Sequence, residues 1–296
     1  MKMIKKINSC EILFVIPALV YMLIFVGYPI VYNVVLSFQD TTLMNIGSAS
    51  KEFVGLQNYK NIFSSPLIFI TLKNTLFYTV MCLIIQFSLG FLMALFFNLK
   101  FKISGFLRGV IIISWMMPTI ATALVFKFML SETGIVNNYL MILGLIKEPI
   151  LWISNQDTAM WGLIIANSWV GIPFNMLLLS TGLSNVPDSI IESAKIDGAV
   201  AWQRLIFIVV PMIKPAILSV LVLGFVYTFK VFDLVFTMTA GGPVNSTEVL
   251  STYSYLLSFK YYYFSQGASV ANILAIFLII VSFIYVRLTS KEEIGE

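Results

Sequence analysis

The chain has 296 residues, 59% hydrophobic and 11% charged, with a net charge of +4 and a mean hydropathy of +0.94. Soluble domains carry about 25% charged residues, so a water-soluble fold is excluded: too little polar side chain is present to cover the surface, and lipid must be part of the solvent. No basic stripe suits nucleic acid, the absence of histidine removes imidazole acid–base catalysis and most transition-metal sites, and the two cysteines, Cys10 and Cys82, suggest no disulfide framework.

The basic start MKMIKKINSCE leads into an uncharged apolar run, Ile12–Leu36. A signal-peptide core spans only about 7–15 apolar residues before a small-residue cleavage site. This run is longer and has no such site, so an uncleaved first span is expected. A spanning helix needs about 20 apolar residues, and five further runs qualify: Leu72–Phe97, Phe106–Phe126, Ala159–Leu183, Pro215–Met238 and Ala268–Val286. Together they predict an all-α membrane protein of six transmembrane helices. Trp202–Met212 is also apolar but is broken from the fifth run by Pro211, Lys214 and Pro215, which suits a segment lying along the interface. Pro118 in Trp115-Met-Met-Pro118 and Pro173 in Gly171-Ile-Pro173 are expected to kink their helices.

Lys and Arg in the connections set orientation. The side holding the N-terminus collects eleven of them and the other side six, with Lys230 inside a span. Both termini are therefore expected in the cytoplasm of a multi-pass cell-membrane protein. The outer connections are 37–71, 127–158 and 239–267. Asn245-Ser-Thr247 on the outer side matches a glycosylation acceptor by chance.

The inner connection 184–214 is longer than a compact helical domain needs. Pro187 and Asp188 suit a helix first turn, and Gly198 suits the left-handed residue after the last turn. The spacing predicts a short helix over 187–197, with Ile190, Ile191 and Ala194 on one face and Glu192 and Lys195 on the polar side. Such a helix fits a partner's groove or rests on lipid headgroups.

Glu192-Ser193-Ala194, Gly198 and then Ile208-Val-Val-Pro211 resemble the EAA motif of binding-protein-dependent ABC importer permeases: E-A-A, three residues, G, nine residues, I-x-L-P. Spacing matches throughout, with Ser193 for alanine and Val210 for leucine. Phe53-Val-Gly-Leu-Gln-Asn-Tyr59 and Gly134-Ile-Val-Asn137 resemble the outer segment of sugar-permease subunits, and Phe229-Lys-Val-Phe-Asp233 followed by Thr239-Ala-Gly-Gly-Pro243 and Thr247 resembles the first of the two permease subunits in carbohydrate importers of the maltose and glycerol-phosphate type. The resemblance implies a type I ABC importer permease fold, one permease domain over 1–296, and an ATPase-coupling loop at 184–214. Glu192, Ser193, Ala194, Asp197, Gly198, Ile208 and Pro211 would carry the coupling.

The partners implied are a second homologous permease, two cytoplasmic ABC ATPases, an extracytoplasmic solute-binding protein and the lipid bilayer. No G-x-x-x-x-G-K-[ST] loop is present, nor any Gly-Lys pair, so ATP belongs on the partner ATPases and no cofactor is expected on this chain. No covalent reaction is expected of it.

Six residues are candidates for the solute path. Lys230 and Asp233 are charges at membrane depth, spaced i, i+3 so as to pair on one helical face. They either line the path or form a structural ion pair. Asn167, Trp169, Asn175 and Asn272 offer the amide hydrogen bonds and aromatic face that suit a sugar, or act as interhelical glue. The alternatives to a sugar permease are one for glycerol phosphate or another non-sugar solute, an ion-coupled secondary transporter using Asp233, and a non-transporting scaffold.

Overall fold

The computed structural model describes residues 9–294 apart from 49 and 100. Lys2, Lys5, Lys6 and Lys100 of the charge count lie outside the described residues, as do the side chains of Cys10 and Lys291. Four helices among the described residues are long and apolar enough to cross a bilayer: Phe14–Ser37, Pro66–Asn98, Ala159–Ser184 and Phe264–Arg287. Two further pairs, Ser104–Met116 with Thr119–Met129 and Ala201–Met212 with Lys214–Phe229, are bent by 95° and 70°. Counting each bent pair as one span gives the six expected.

The chain divides into two compact units, Met1–Ser65 with Ser254–Ile273, and Pro66–Tyr253 with Leu274–Glu296. In the first unit, amide and hydroxyl groups join elements distant in sequence. Asn58 donates to the carbonyls of Ser37 (2.9 Å) and Gln39 (2.8 Å), closing the end of the first span. Tyr59 shares a hydrogen bond with Ser37 Oγ (2.9 Å). The Phe53–Tyr59 segment is thus a fastening for the C-terminal end of the first span, because buried carbonyls past a helix end need donors.

In the second unit the second and fourth spans pair along their length. Both are apolar all round, as buried helices are, and small residues let their backbones approach closely. A Cβ at Gly90 would stand 2.6 Å from Asn175 Cβ and 3.1 Å from the Met176 nitrogen. Two apolar clusters hold the unit. One joins Tyr78 and Cys82 to Phe126, Leu163, Leu234 and Met238. The other joins Ala94 and Phe97 to Met176, Leu179, Leu183, Ile213 and Val220. The stretch between them, near Gln86 on one helix and Asn167–Phe174 on the other, is left for a polar cavity.

Two expectations about breaks need correction. The third span is not merely kinked at Pro118. Met117 and Pro118 both take extended backbone, with ψ of 138° and 132°, because a residue before proline is pushed out of the helical region and proline has no donor to continue the ladder. Pro173, by contrast, lies buried inside an unbroken helix. The fifth span, expected to run unbroken over Pro215–Met238, ends at Phe229 and resumes as Asp233–Met238. Lys230, Val231 and Phe232 separate the two helices, and of these Val231 and Phe232 are weak helix formers. The two charges settle at opposite sides of the gap: Lys230 caps the C-terminal end of one helix and Asp233 opens the first turn of the next, each where the helix dipole favours its sign.

Candidate functional site: a polar cavity and an exposed inner helix

A cavity of about 420 Å³ lies at the two breaks, lined by Gln86, Trp115, Met117, Asn167, Gly171, Phe174, Tyr227, Thr228, Lys230 and Asp233, among others. Its size falls within the range of about 300–1,000 Å³ usual for small-molecule sites. Three aromatic rings form an arc along it. Trp115 and Phe174 have centroids 5.5 Å apart, and Tyr227 meets Phe174 edge-on at 6.0 Å and 88°. Lys230 Nζ stands 5.4 Å from the Tyr227 ring centre.

Amide side chains line the same cavity. Gln86, buried in the middle of the second span, donates from Nε2 to the Asn167 carbonyl at 3.3 Å. It fits because Gly171 lacks a side chain: a Cβ there would overlap the Gln86 amide. The site therefore combines flat apolar faces with amide donors and acceptors, and adds one cation and one anion. The chemistry suits a hydroxylated solute, whose C–H faces lie on rings while its hydroxyls bond to amides.

Of the six residues expected on the path, Asn167, Lys230 and Asp233 come together here. The i, i+3 pairing of Lys230 with Asp233 does not form; the helix ends between them, and no ion pair joins them in the structure. Trp169 points elsewhere. It lies over Phe126 (6.2 Å) and lines a separate apolar hollow with Met93, Val110, Ile172 and Pro173. Asn175 is buried against the second span and donates to the carbonyl of Gly171 at 2.8 Å, one turn back in its own helix. Asn272 lies in the other unit, where Asn33 donates to its Oδ1 at 2.7 Å and its Nδ2 donates to Tyr59 at 3.1 Å; this is helix-to-helix glue. Sequence reasoning missed Gln86, Trp115, Phe174 and Tyr227. Gln86 had a legible signal, as an isolated amide in the centre of the run Met81–Phe97.

The expected inner helix is present as Asp188–Ile196, with Pro187 before it and Asp197 after it. Gly198 takes φ +83°. The Gly198 N–H reaches the Lys195 carbonyl at 3.1 Å and the Ala199 N–H reaches Ala194 at 2.9 Å, the paired bonds of a left-handed glycine cap. Ala194 is buried, whereas Glu192, Ser193, Lys195, Asp197 and Gly198 are exposed and Ile196 is 86% exposed. The two halves of the motif meet: Ser193, Ala194 and Asp197 share a hollow with Ile208. Pro211 lies on the bent segment that follows.

The connection 127–158, around Asn137, is a second organised locus. The buried Asn137 amide donates to the carbonyls of Ser131, Glu132 and Ile150 at 3.2, 3.1 and 2.9 Å. Its Oδ1 accepts from the Ile150 N–H at 3.1 Å and from Trp152 Nε1 at 3.0 Å. In the connection 239–267, Thr247 shares a hydrogen bond with Thr239 at 2.8 Å and donates to the Gly242 carbonyl at 2.6 Å. Among the described residues no cluster of metal-ligating side chains is present.

The family model of the binding-protein-dependent transport system inner membrane component matches residues 86–291. The lactose transport system permease protein LacF of Rhizobium radiobacter is 34% identical over 92% of this chain and 91% of its own length. The trehalose/maltose transport system permease protein MalF of Thermococcus litoralis is 32% identical over 93% of this chain and 91% of its own. Among solved structures, a chain of a bacterial ABC transporter involved in the import of the acidic polysaccharide alginate superposes with a TM-score of 0.78 at 21% identity, covering 94% of each chain.

Proposed function

Because this chain belongs to the family of binding-protein-dependent transport system inner membrane components, and is a multi-pass membrane permease of that kind, we propose that it passes a sugar or sugar derivative, delivered by an extracytoplasmic binding protein, through the cavity between Gln86 and Tyr227. The observation that carries the solute class is that the rings of Trp115, Phe174 and Tyr227 line one cavity with Gln86 and Asn167. Relatives named for lactose and for trehalose and maltose support the same class.

In this reading the chain supplies half of the path, and a second homologous permease supplies the other half. Two cytoplasmic ABC ATPases bind and hydrolyse ATP, and the permease itself forms no covalent bond with the solute. The exposed helix Asp188–Ile196 docks on an ATPase, and alternating access follows from movement of that helix. Both termini lie in the cytoplasm. The capped, rigid geometry at Gly198 and the shared hollow of Ser193 and Ile208 support a unit that moves as one. A non-sugar anion such as glycerol phosphate remains the second reading, favoured by Lys230 at the cavity wall.

The test is uptake in membranes of matched permease content. Tyr227→Ala and Gln86→Leu each remove a hydrogen-bonding or stacking group worth about 1–1.5 kcal/mol, so uptake is expected to fall on the order of tenfold. The binding protein's affinity for its ligand stays unchanged. Wild-type uptake in both variants would remove the cavity from the path.

A further inference from the structure

Between the inner helix and the fifth span the chain runs through Ala201–Met212, which meets Lys214–Phe229 at 70°. Three edges of this segment differ. Ile208 faces the hollow it shares with Ser193 and Ala194. Arg204, Leu205 and Val209 face a second hollow lined by Leu95, Leu183 and Pro187. The remaining edge is apolar and uncovered by this chain, with Trp202 57%, Ile206 52% and Phe207 67% exposed.

The middle of the segment is a π turn, Leu205–Val209, in which the Val210 N–H bonds to the Leu205 carbonyl five residues back. In a regular α-helix a residue five along stands about 140° round the axis. The wider turn brings residues five apart towards one face, and the Trp202 and Phe207 rings approach to 6.2 Å. The insertion therefore gathers two aromatics into one edge instead of spreading them round the helix.

We infer that Trp202, Ile206 and Phe207 lie in the headgroup–acyl boundary of the leaflet on the side of the inner helix, so that this segment is an interfacial anchor whose partner is the lipid surface. Continuity with the membrane argues for lipid over protein. Only the buried Ile213 separates the segment from Lys214–Phe229, the other half of the bent pair, which continues into the bilayer. Spanning helices tilt by about 20° on average, so a 70° bend lays the segment within about 40° of the membrane plane. Composition agrees: an aromatic edge on a segment that also carries a cation, here Arg204, is the pattern of a helix that lies at an anionic interface. The coupling motif opens on a different edge, that of Ile208, so ATPase docking and lipid anchoring do not compete for one surface.

The experiment places a nitroxide at Phe207→Cys, in a Cys10→Ser, Cys82→Ala background, in the assembled transporter with its ATPases in lipid nanodiscs. Collision rates with oxygen, which concentrates in lipid, and with a water-soluble nickel complex give the depth. Oxygen collisions exceeding nickel collisions are expected. Dominant nickel collisions would place the edge in water, and shielding from both reagents would place it in an ATPase groove; either result overturns the inference. Should Phe207→Cys fail to assemble, the same label at Ile206→Cys reads the same edge with the same outcomes.

Discussion

Gln86 occupies the space that a side chain at Gly171 would need, so the polar wall of the cavity exists only because the fourth span carries glycine at that turn. Gly171→Val is therefore expected to push the amide out of register. Overpacking of this kind costs about 1–3 kcal/mol. The thermal midpoint in detergent and the uptake rate should both fall, and Gly171→Val combined with Gln86→Ala should recover part of the stability but not the uptake. A single variant as stable and active as wild type would show that the two helices have room to separate.

Lys230 and Asp233 flank a helix break and do not pair. Each is held by a helix end, an effect of about 0.3–1 kcal/mol at exposed positions. The expected result is independence: in a double-mutant cycle of Lys230→Met and Asp233→Asn on transport rate, the coupling should stay within about 0.5 kcal/mol. Exchanging the two charges should not rescue either single variant. A large coupling would restore the ion-pair reading that helical spacing suggests.

How far the fold was legible follows from these same residues. The first, second, fourth and sixth spans were readable because run length alone identifies them. Ala159–Leu183 was expected and Ala159–Ser184 is found. The break at Pro118 had a covalent cause and was visible, though not its 95° depth. The break at 230–232 has no proline or glycine. Val231 and Phe232 are weak helix formers and the charges of Lys230 and Asp233 sit at the two helix ends, but a hydropathy reading treats the stretch as one run.

The site was less legible because the fourth span is apolar all round. Nothing in its pattern says that Asn167 faces the cavity while Trp169, two residues on, faces away and Asn175 faces the second span. Gln86 could have been found, since a lone amide amid Met81–Phe97 must meet a partner or a cavity. Tyr227 and Phe174 could not, because aromatic residues within spans are too common to signal a site.

Asn137 ties the connection between the third and fourth spans through five hydrogen bonds. Asn137→Ala would leave buried carbonyls and the Trp152 indole without their partner, at about 1–3 kcal/mol for each group that finds no water. A loss of about 2–3 kcal/mol corresponds to a fall on the order of 5–10 °C in the unfolding midpoint for a unit of this size. Asn137→Asp should be milder in packing but lose the three donated bonds. Intrinsic Trp fluorescence during thermal unfolding reads both, since Trp152 is itself a partner.

Gly198 supplies the last test, and its surroundings sharpen what to expect. Its φ of +83° is a conformation that side chains other than Asn and Asp rarely take, yet a Cβ there would meet nothing within 4 Å on this chain. Two causes of failure can therefore be separated by substitution. If only the cap matters, Gly198→Asn should transport nearly as well as wild type, Gly198→Ala should lose about 1 kcal/mol of cap stability, and Gly198→Val, β-branched, should be the worst. If the ATPase fits closely against the bare backbone, all three should fail alike, because the side chain would project into the partner and not into this chain. The docking role proposed for the exposed Glu192, Ser193 and Asp197 predicts the second pattern. ATPase retention on the purified permease and solute uptake should be lost together in Gly198→Asn, with the amount of permease in the membrane unchanged. Full uptake by Gly198→Asn with loss in Gly198→Val would confine the role of this turn to holding the helix Asp188–Ile196 at its angle, and Glu192→Lys would then be expected to retain its ATPase as well.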